Sequence, residues 1–286
     1  MKRIFIPGSE WLYLKLYTGH KSADNILIYY LYPMGMDLKA KGLITDFFFI
    51  RYTDPNFHIR FRIKIDNVLN YGEVFQSLLA TLTPCIGNGL ITSVQCDTYE
   101  RELERYGMQY IDDIENIFCI DSCSIIELLQ ELVQHETSED DRWRLALLLI
   151  DNMMSGFGYG LEEKRMLMEI MSMNFKNEFG FTSSFFTRQL NTKYRNVKGQ
   201  IYSVLEGEDI GLRVYNVIIN NRQKAILDIV SKFEHDIIAK NNLLYSLIHM
   251  TMNRMFRSQN RLHELVIYDF LFKYYQSKIA REKYAK

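Results

Sequence analysis

The sequence predicts an α+β protein, a small antiparallel sheet unit followed by a mostly helical half, and three observations carry that prediction. The stretch FHIRFRIKI (57–65) alternates strictly: Phe57, Ile59, Phe61, Ile63 and Ile65 share one side of a strand, and His58, Arg60, Arg62 and Lys64 the other. All four prolines, Pro7, Pro33, Pro55 and Pro84, lie in the first 84 residues. Proline breaks helix interiors, so its absence afterwards fits a long helical second half. Beyond Tyr106-Gly107, Leu, Ile and Met recur at helical spacing.

Taken in order, WLYLKLY (11–17) reads as a strand and SADNILIYYLY (22–32) as a helix ending near Pro33. TDFFFIRY (45–52) and FHIRFRIKI flank the turn signal Asp54-Pro55-Asn56 and so form a hairpin. A helix follows from about Asn67 to Thr83, then a break at Pro84, Gly87 and Gly89, then LITSVQCD (90–97) as a fourth strand. The order β-α-β-β-α-β is that of a ferredoxin-like split unit. Helical signals then cover 124–133, 140–154, 162–173, the segment around Gly211 to Val230, and the stretch from Asp236 to about Lys278. We read one domain over 1–286, with a mixed sheet subregion to residue 106 and a helical subregion from 107.

Composition narrows the function. A net charge of −1, from 34 basic and 35 acidic residues, draws the chain toward neither nucleic acid nor an anionic membrane, so any basic site is local. No apolar run approaches a membrane span, and the apolar run before Pro7-Gly8 is too short for a signal peptide, which makes the cytoplasm the expected compartment. The cysteines Cys85, Cys96, Cys119 and Cys123 contain no C-x-x-C pair and read as buried thiols. There is no metal motif, phosphate-cradling loop or nucleophile elbow, so no cofactor is expected.

Three polar patches remain. Arg60 and Arg62 would lie about 6–7 Å apart on one strand face. Such a face is either solvated, with Arg stems covering apolar neighbours, or a clamp for a carboxylate or phosphate. YERELERYG (99–107) is either an exposed salt-bridged run or a site segment, with Glu102 and Arg105 meeting if the turn is helical. In LLYSLIHMTMNRMF (243–256), His249 is either a satisfied core histidine or, beside a carboxylate, a proton carrier near neutral pH.

Together WLYLKLYTG, FFFIRYTDPNFHIRFR, YERELERYG with IFCIDS (117–122), and HMTMNR resemble, in order, the C-terminal elimination domain of lantibiotic dehydratases. That domain also occurs free-standing as the thiopeptide-type bacteriocin biosynthesis protein. The resemblance implies a lyase. A separate tRNA-dependent subunit glutamylates Ser or Thr of a precursor peptide, and this domain expels glutamate to leave dehydroalanine or dehydrobutyrine. At 286 residues the chain is too short to hold the glutamylating domain as well, so the resemblance implies the elimination half of a split enzyme. Its partners would be the glutamylated peptide and the glutamylating subunit, without direct nucleic-acid binding or membrane insertion; a homodimer is compatible with this.

Carried over by position, the family's paired arginines fall on Arg60 and Arg62, its acid-plus-arginine segment on Glu102 and Arg105, and its helical histidine on His249. The arginines would meet substrate carboxylate and developing charge, Glu102 would orient an arginine or assist proton transfer, and His249 would be the acid/base. His58, on the arginine face, would orient at most. Where the family often has a second glycine after ERYG, this chain has Met108. Two rivals stand beside this reading: a pyridine synthase-like cyclase of similar architecture, and a non-catalytic subunit that only binds the precursor.

Overall fold

The computed structural model describes residues 2–135, 140–181, 183–233 and 237–284. The chain divides into two compact units, Met1–Gln134 and His135–Lys286.

In the N-terminal unit the strands are β1 (Ile4–Phe5), β2 (Trp11–Thr18), β3 (Ile44–Thr53), β4 (Phe57–Ile65), β5 (Ile91–Asp97) and β6 (Tyr99–Glu100). The main sheet runs β3-β4-β2-β5 with every neighbour antiparallel, while β1 and β6 make a separate short pair. Helices α1 (His20–Ile26), α2 (Tyr32–Ala40) and α3 (Tyr71–Gly87) connect the strands. The alternation in β4 is reproduced across the sheet. Leu12, Leu14, Leu16, Phe47, Phe49, Ile59, Phe61 and Ile63 are all buried on one face, as a period of two requires.

Two proline boundaries read from sequence are corrected. The first helix does not end at Pro33. A π-helical turn over Leu27–Leu31 joins α1 to α2, and Pro33 sits in the first turn of α2. The widened turn leaves room for a ring that has no N–H to donate, so the chain continues helical. Pro84 likewise lies inside the last turn of α3, where its missing donor interrupts a single bond before Asn88 and Gly89 end the helix. Helix α2 packs closely on the sheet at Gly35, where a Cβ would fall on the Phe47 ring. A buried ion pair, Arg51 Nη2 to Asp24 Oδ1 at 2.6 Å, ties β3 to α1.

The short α4 (Leu103–Tyr106) and the long α5 (Ile111–Gln134) complete this unit. Helix α5 packs on β3: Ser122 Oγ accepts from Phe49 N at 3.1 Å, and Phe118 meets Phe48 with ring centroids 5.5 Å apart. Of the cysteines, Cys85 and Cys119 are buried and Cys123 is partly so, but Cys96 is exposed. That last finding corrects the sequence reading, and its cause is position: β5 is an edge strand.

The C-terminal unit holds α6 (Asp140–Gly156), α7 (Leu161–Glu178), α8 (Ser184–Leu205), α9 (Asn216–Val230), α10 (Ile237–Met255) and α11 (Asn260–Tyr284). Helix α8 lies within the helical subregion read from sequence. The stretch from Asp236 is two helices rather than one; Asp236 itself lies outside the described residues. The chain reverses after Met255 with Gln259 at φ 52°, where the Gln259 carbonyl accepts from Leu262 N at 2.8 Å. No glycine or proline announces this break. Helix α11 is buried on more than one side and packs chiefly on α7. Its buried Asp269 is paired with Lys176 and Lys273, at 2.6 and 2.5 Å, as an acid at 1% exposure requires. Among the described residues no helix is long and apolar enough to cross a membrane.

Candidate active site

The cation-bearing face is built by register. Across β2, β4 and β3 the rows are Tyr17–His58–Tyr52, Lys15–Arg60–Ile50 and Tyr13–Arg62–Phe48. Each basic residue of β4 therefore stands between β2 and β3 side chains, most of them aromatic. The face is closed at His58 and Arg62, which are 0% and 8% exposed, while Arg60 and Lys64 are half-buried and Tyr52 is exposed.

Arg62 is the singular group. Its guanidinium carbon lies 4.4 Å from the Tyr13 ring centroid, 4.8 Å from Tyr99 and 5.2 Å from Phe48. Its Nε is buried without a hydrogen-bond partner among the described residues. Burial lowers its pKa, and the charge of Arg60 lowers it further, while Glu102 is near enough to oppose the shift. A cation held by three ring faces and no carboxylate retains unspent attraction for an anion.

Arg60 is held differently. Its guanidinium carbon lies 3.4 Å from the Tyr52 ring centroid, and its Nε donates to His58 Nε2 at 3.3 Å. His58 Nδ1 lies 2.9 Å from the Asn56 carbonyl and donates to it, which fixes the tautomer that leaves Nε2 as acceptor. Burial lowers the His58 pKa, and Arg60 and Lys15 add to this against a weaker upward pull from Asn56. His58 is thus a hydrogen-bond acceptor for Arg60. Lys15, beside Arg60, is paired with Asp97 of β5.

The segment after β5 divides its arginines between two jobs. Arg101 is buried, and its Nε and Nη2 reach the two Glu115 oxygens at 2.7 and 2.5 Å, with Asp112 at 2.6 Å. Tyr99 donates to the same Glu115 at 2.8 Å. This network anchors the segment to α5 and sets the Tyr99 ring against Arg62. Arg105 stays at the surface in α4, with Nη1 3.4 Å from Glu102 Oε2, so the helical turn does bring the pair together. Gly107, at φ 81°, ends that turn in a conformation that favours glycine. Sequence gave no sign that Arg101, rather than Arg105, is the fixed one, because its partners lie on α5.

In the C-terminal unit, His249 Nδ1 lies 2.9 and 3.1 Å from the two oxygens of Glu264, and Tyr268 donates to that carboxylate at 3.0 Å. Glu264 and Tyr268 are both at 0% exposure, and the His249 side chain is at 20%. Burial, with the Glu264 charge, pushes the Tyr268 pKa well up, so its proton stays on the bond to Glu264. A carboxylate on Nδ1 leaves Nε2 to take or give a proton. Glu264 was absent from the sequence reading. It reaches His249 only because the chain reverses between α10 and α11, and that reversal has no local signal. Among the described residues, no cluster of His, Cys, Asp or Glu suits a metal ion.

The chain and its fold have counterparts. The profile of the family described as lantibiotic biosynthesis dehydratase C-term matches residues 11–275. The nisin biosynthesis protein NisB of Lactococcus lactis subsp. lactis is 36% identical over 130 residues, 45% of this chain and 12% of that protein. The subtilin biosynthesis protein SpaB of Bacillus subtilis is 22% identical over 275 residues, 93% of this chain and 25% of that protein. The chain thus spans a quarter or less of the length of these relatives. The tRNA-dependent lantibiotic dehydratase MibB of Microbispora sp. 107891 superposes with a TM-score of 0.74 at 18% identity, covering 97% of this chain and 29% of that one. The pyridine synthase TbtD from thiomuracin biosynthesis gives 0.62 at 11% identity, covering 95% and 99%. A profile match that begins at the first long strand and runs into the last helix places this chain in the lantibiotic dehydratase C-terminal family.

Proposed function

We propose that this chain eliminates glutamate from glutamylated Ser or Thr of a ribosomal precursor peptide, leaving dehydroalanine or dehydrobutyrine. The observation that carries the proposal is Arg62, a buried cation in an aromatic cage with an unsatisfied Nε, on the family's arginine strand. In the reaction a base takes the Cα proton, the Cβ–O bond breaks, the Cα–Cβ double bond forms, and glutamate leaves as a carboxylate. Arg62 and Arg60 neutralise the departing carboxylate and the charge on the adjacent carbonyl. Arg105, oriented by Glu102, grips the remaining carboxylate. His249, with Glu264 fixing its tautomer, carries the proton. Donors aimed at developing charge contribute about 3–4 kcal/mol each to such a step. A separate tRNA-dependent glutamylating subunit supplies the substrate in the cytoplasm. On the same reading, the order β3-β4-β2-β5 is the split β-α-β-β-α-β arrangement, with the arginine strand at its centre.

The test is incubation with a synthetic peptide carrying one O-glutamylserine. Release of free glutamate and a product lighter than the plain serine peptide by one water support elimination. Arg62→Ala and His249→Ala should each let the glutamylated peptide persist, and the double variant should be no worse than the poorer single one. Normal glutamate release by both single variants removes the assignment. The likeness to a pyridine synthase over nearly its whole length favours a second reading, cycloaddition between two dehydroamino acids. A macrocycle with an excised leader, and no glutamate, would select it.

A further inference from the structure

The two edges of the main sheet are finished differently. The Glu10 carbonyl accepts from Ile65 N at 2.8 Å, so the even residues of β2 direct their backbone groups to β4 and the odd ones to β5. Thr92 Oγ1, 3.2 Å from the Tyr17 carbonyl, agrees with that assignment. Lys15 pairs with Gln95 and Tyr13 with Asp97, so Ser93, Gln95 and Asp97 bond inward to β2. Thr92, Val94 and Cys96 therefore direct N–H and C=O away from the sheet.

At the opposite edge the corresponding outward groups are those of Phe47 and Phe49. Asp46 Oδ1 and Ser122 Oγ accept from them at 2.9 and 3.1 Å. On β5, among the described residues, the outward N–H groups of Val94 and Cys96 meet no protein acceptor. Thr92, Ser93, Gln95 and Cys96 are exposed, and residues 92–96 contain no charge and no proline, the usual means of blunting an edge.

A hollow of about 620 Å³ opens beside this edge, with Tyr17, Asn56, Thr92, Ser93 and Gln95 in its wall. It lies at the Tyr17 end of the sheet and touches the arginine face through Tyr17, Ser93 and Gln95, Ser93 continuing the row Tyr17–His58 and Gln95 the row Lys15–Arg60, while Thr18, Phe57 and Thr92 come from the opposite face. A strand laid outside β5 would run about 14 Å from β4, three strand spacings. A glutamyl-serine side chain extends roughly 9 Å from its Cα on ordinary bond lengths, about two strand spacings, so it spans β5 and β2 toward the Arg62 guanidinium at Tyr13. The lining is neutral, with hydroxyl and amide groups beside Pro55 and Phe57, which suits a backbone rather than a charged group.

We propose that the outer edge of β5 and the hollow beside it form the groove in which the peptide substrate docks as a fifth strand, its modified side chain turned onto the arginine face. This deepens the elimination reading and rests on it for the identity of the peptide. Backbone bonds give affinity without demanding sequence, as strand addition does elsewhere.

The test uses the whole chain and two probes, a short peptide carrying one O-glutamylserine and the same peptide with plain serine. Val94→Pro removes an outward N–H that takes no part in the β2 ladder, and Val94→Ala trims the side chain alone. Val94→Pro should bind both probes about threefold to tenfold more weakly than Val94→Ala, the effect of one lost hydrogen bond. In the wild-type chain, hydrogen exchange at the Val94 and Cys96 amides should slow when either probe is added, a readout that needs no variant to fold. Unchanged exchange with bound probe, or equal binding by the two variants, overturns the groove. So does protection that grows with protein concentration alone, which would assign the edge to a second copy. Protection at Val94 without glutamate release would keep the groove and defeat the elimination reading; full release without protection would do the reverse.

Discussion

Replacing Arg62 with methionine should abolish glutamate release while leaving the N-terminal unit about as stable as before. The argument is local. The side chain is 8% exposed, and its Nε is buried without a partner, a loss of about 1–3 kcal/mol. Against this stand the rings of Tyr13, Tyr99 and Phe48 at 4.4, 4.8 and 5.2 Å, each contributing ~0.5–2 kcal/mol. Methionine fills similar volume and keeps sulfur–ring contacts of about 0.3–1.5 kcal/mol. With no carboxylate left stranded, the terms nearly cancel, and replacing a buried ion by a well-packed apolar side chain is often neutral or stabilising. The expected change is within about 2 kcal/mol of zero, or a midpoint shift of no more than about 8 °C at ~2–4 °C per kcal/mol. Glutamate release should fall at least about a hundredfold, the usual effect of deleting a donor aimed at developing charge. Thermal unfolding and a glutamate-release assay on the same preparation test both halves. A variant that unfolds more than about 10 °C earlier, or one that releases glutamate normally, refutes the reasoning, because Arg62 would then be a structural cation.

Other outcomes follow from the same geometry. Glu264→Gln should keep the fold, since the amide oxygen can still accept from Tyr268, yet slow glutamate release about tenfold to a hundredfold by freeing the His249 ring; unchanged kcat would make Glu264 a packing residue. His58 has a pKa held below its ordinary 6.5 by burial. Its contribution to stability is therefore present above 6.5 and is lost as pH falls from there through its folded value. His58→Gln should flatten that part of the stability–pH curve measured by urea unfolding, and an unchanged curve would show that His58 does not titrate there. Asp24→Ala removes the 2.6 Å ion pair to the buried Arg51 and should cost about 1–3 kcal/mol by urea unfolding; an unchanged stability would mean that water already reaches the pair.

Sequence by itself determined the elements whose pattern is local. The alternation in 57–65 settled the central strand and its two faces, because a period of two has one reading. Helix-spaced apolar residues settled most of the C-terminal helices, and the ordered motifs pointed to the family. What sequence left open was set by partners far along the chain. Pro33 and Pro84 look like helix ends, but a π turn and a terminal position let the helices absorb them. Cys96 looks like a core thiol until β5 is known to be an edge. Arg101 and Arg105 look alike until Glu115 of α5 takes one of them. The Glu264 partner of His249 depends on a reversal at Gln259 that no turn residue announces. Only the tertiary structure decided that Arg62 is buried with an unpartnered Nε and which sheet edge is open, because burial and backbone pairing are properties of the neighbours that packing brings together and not of any single stretch of chain.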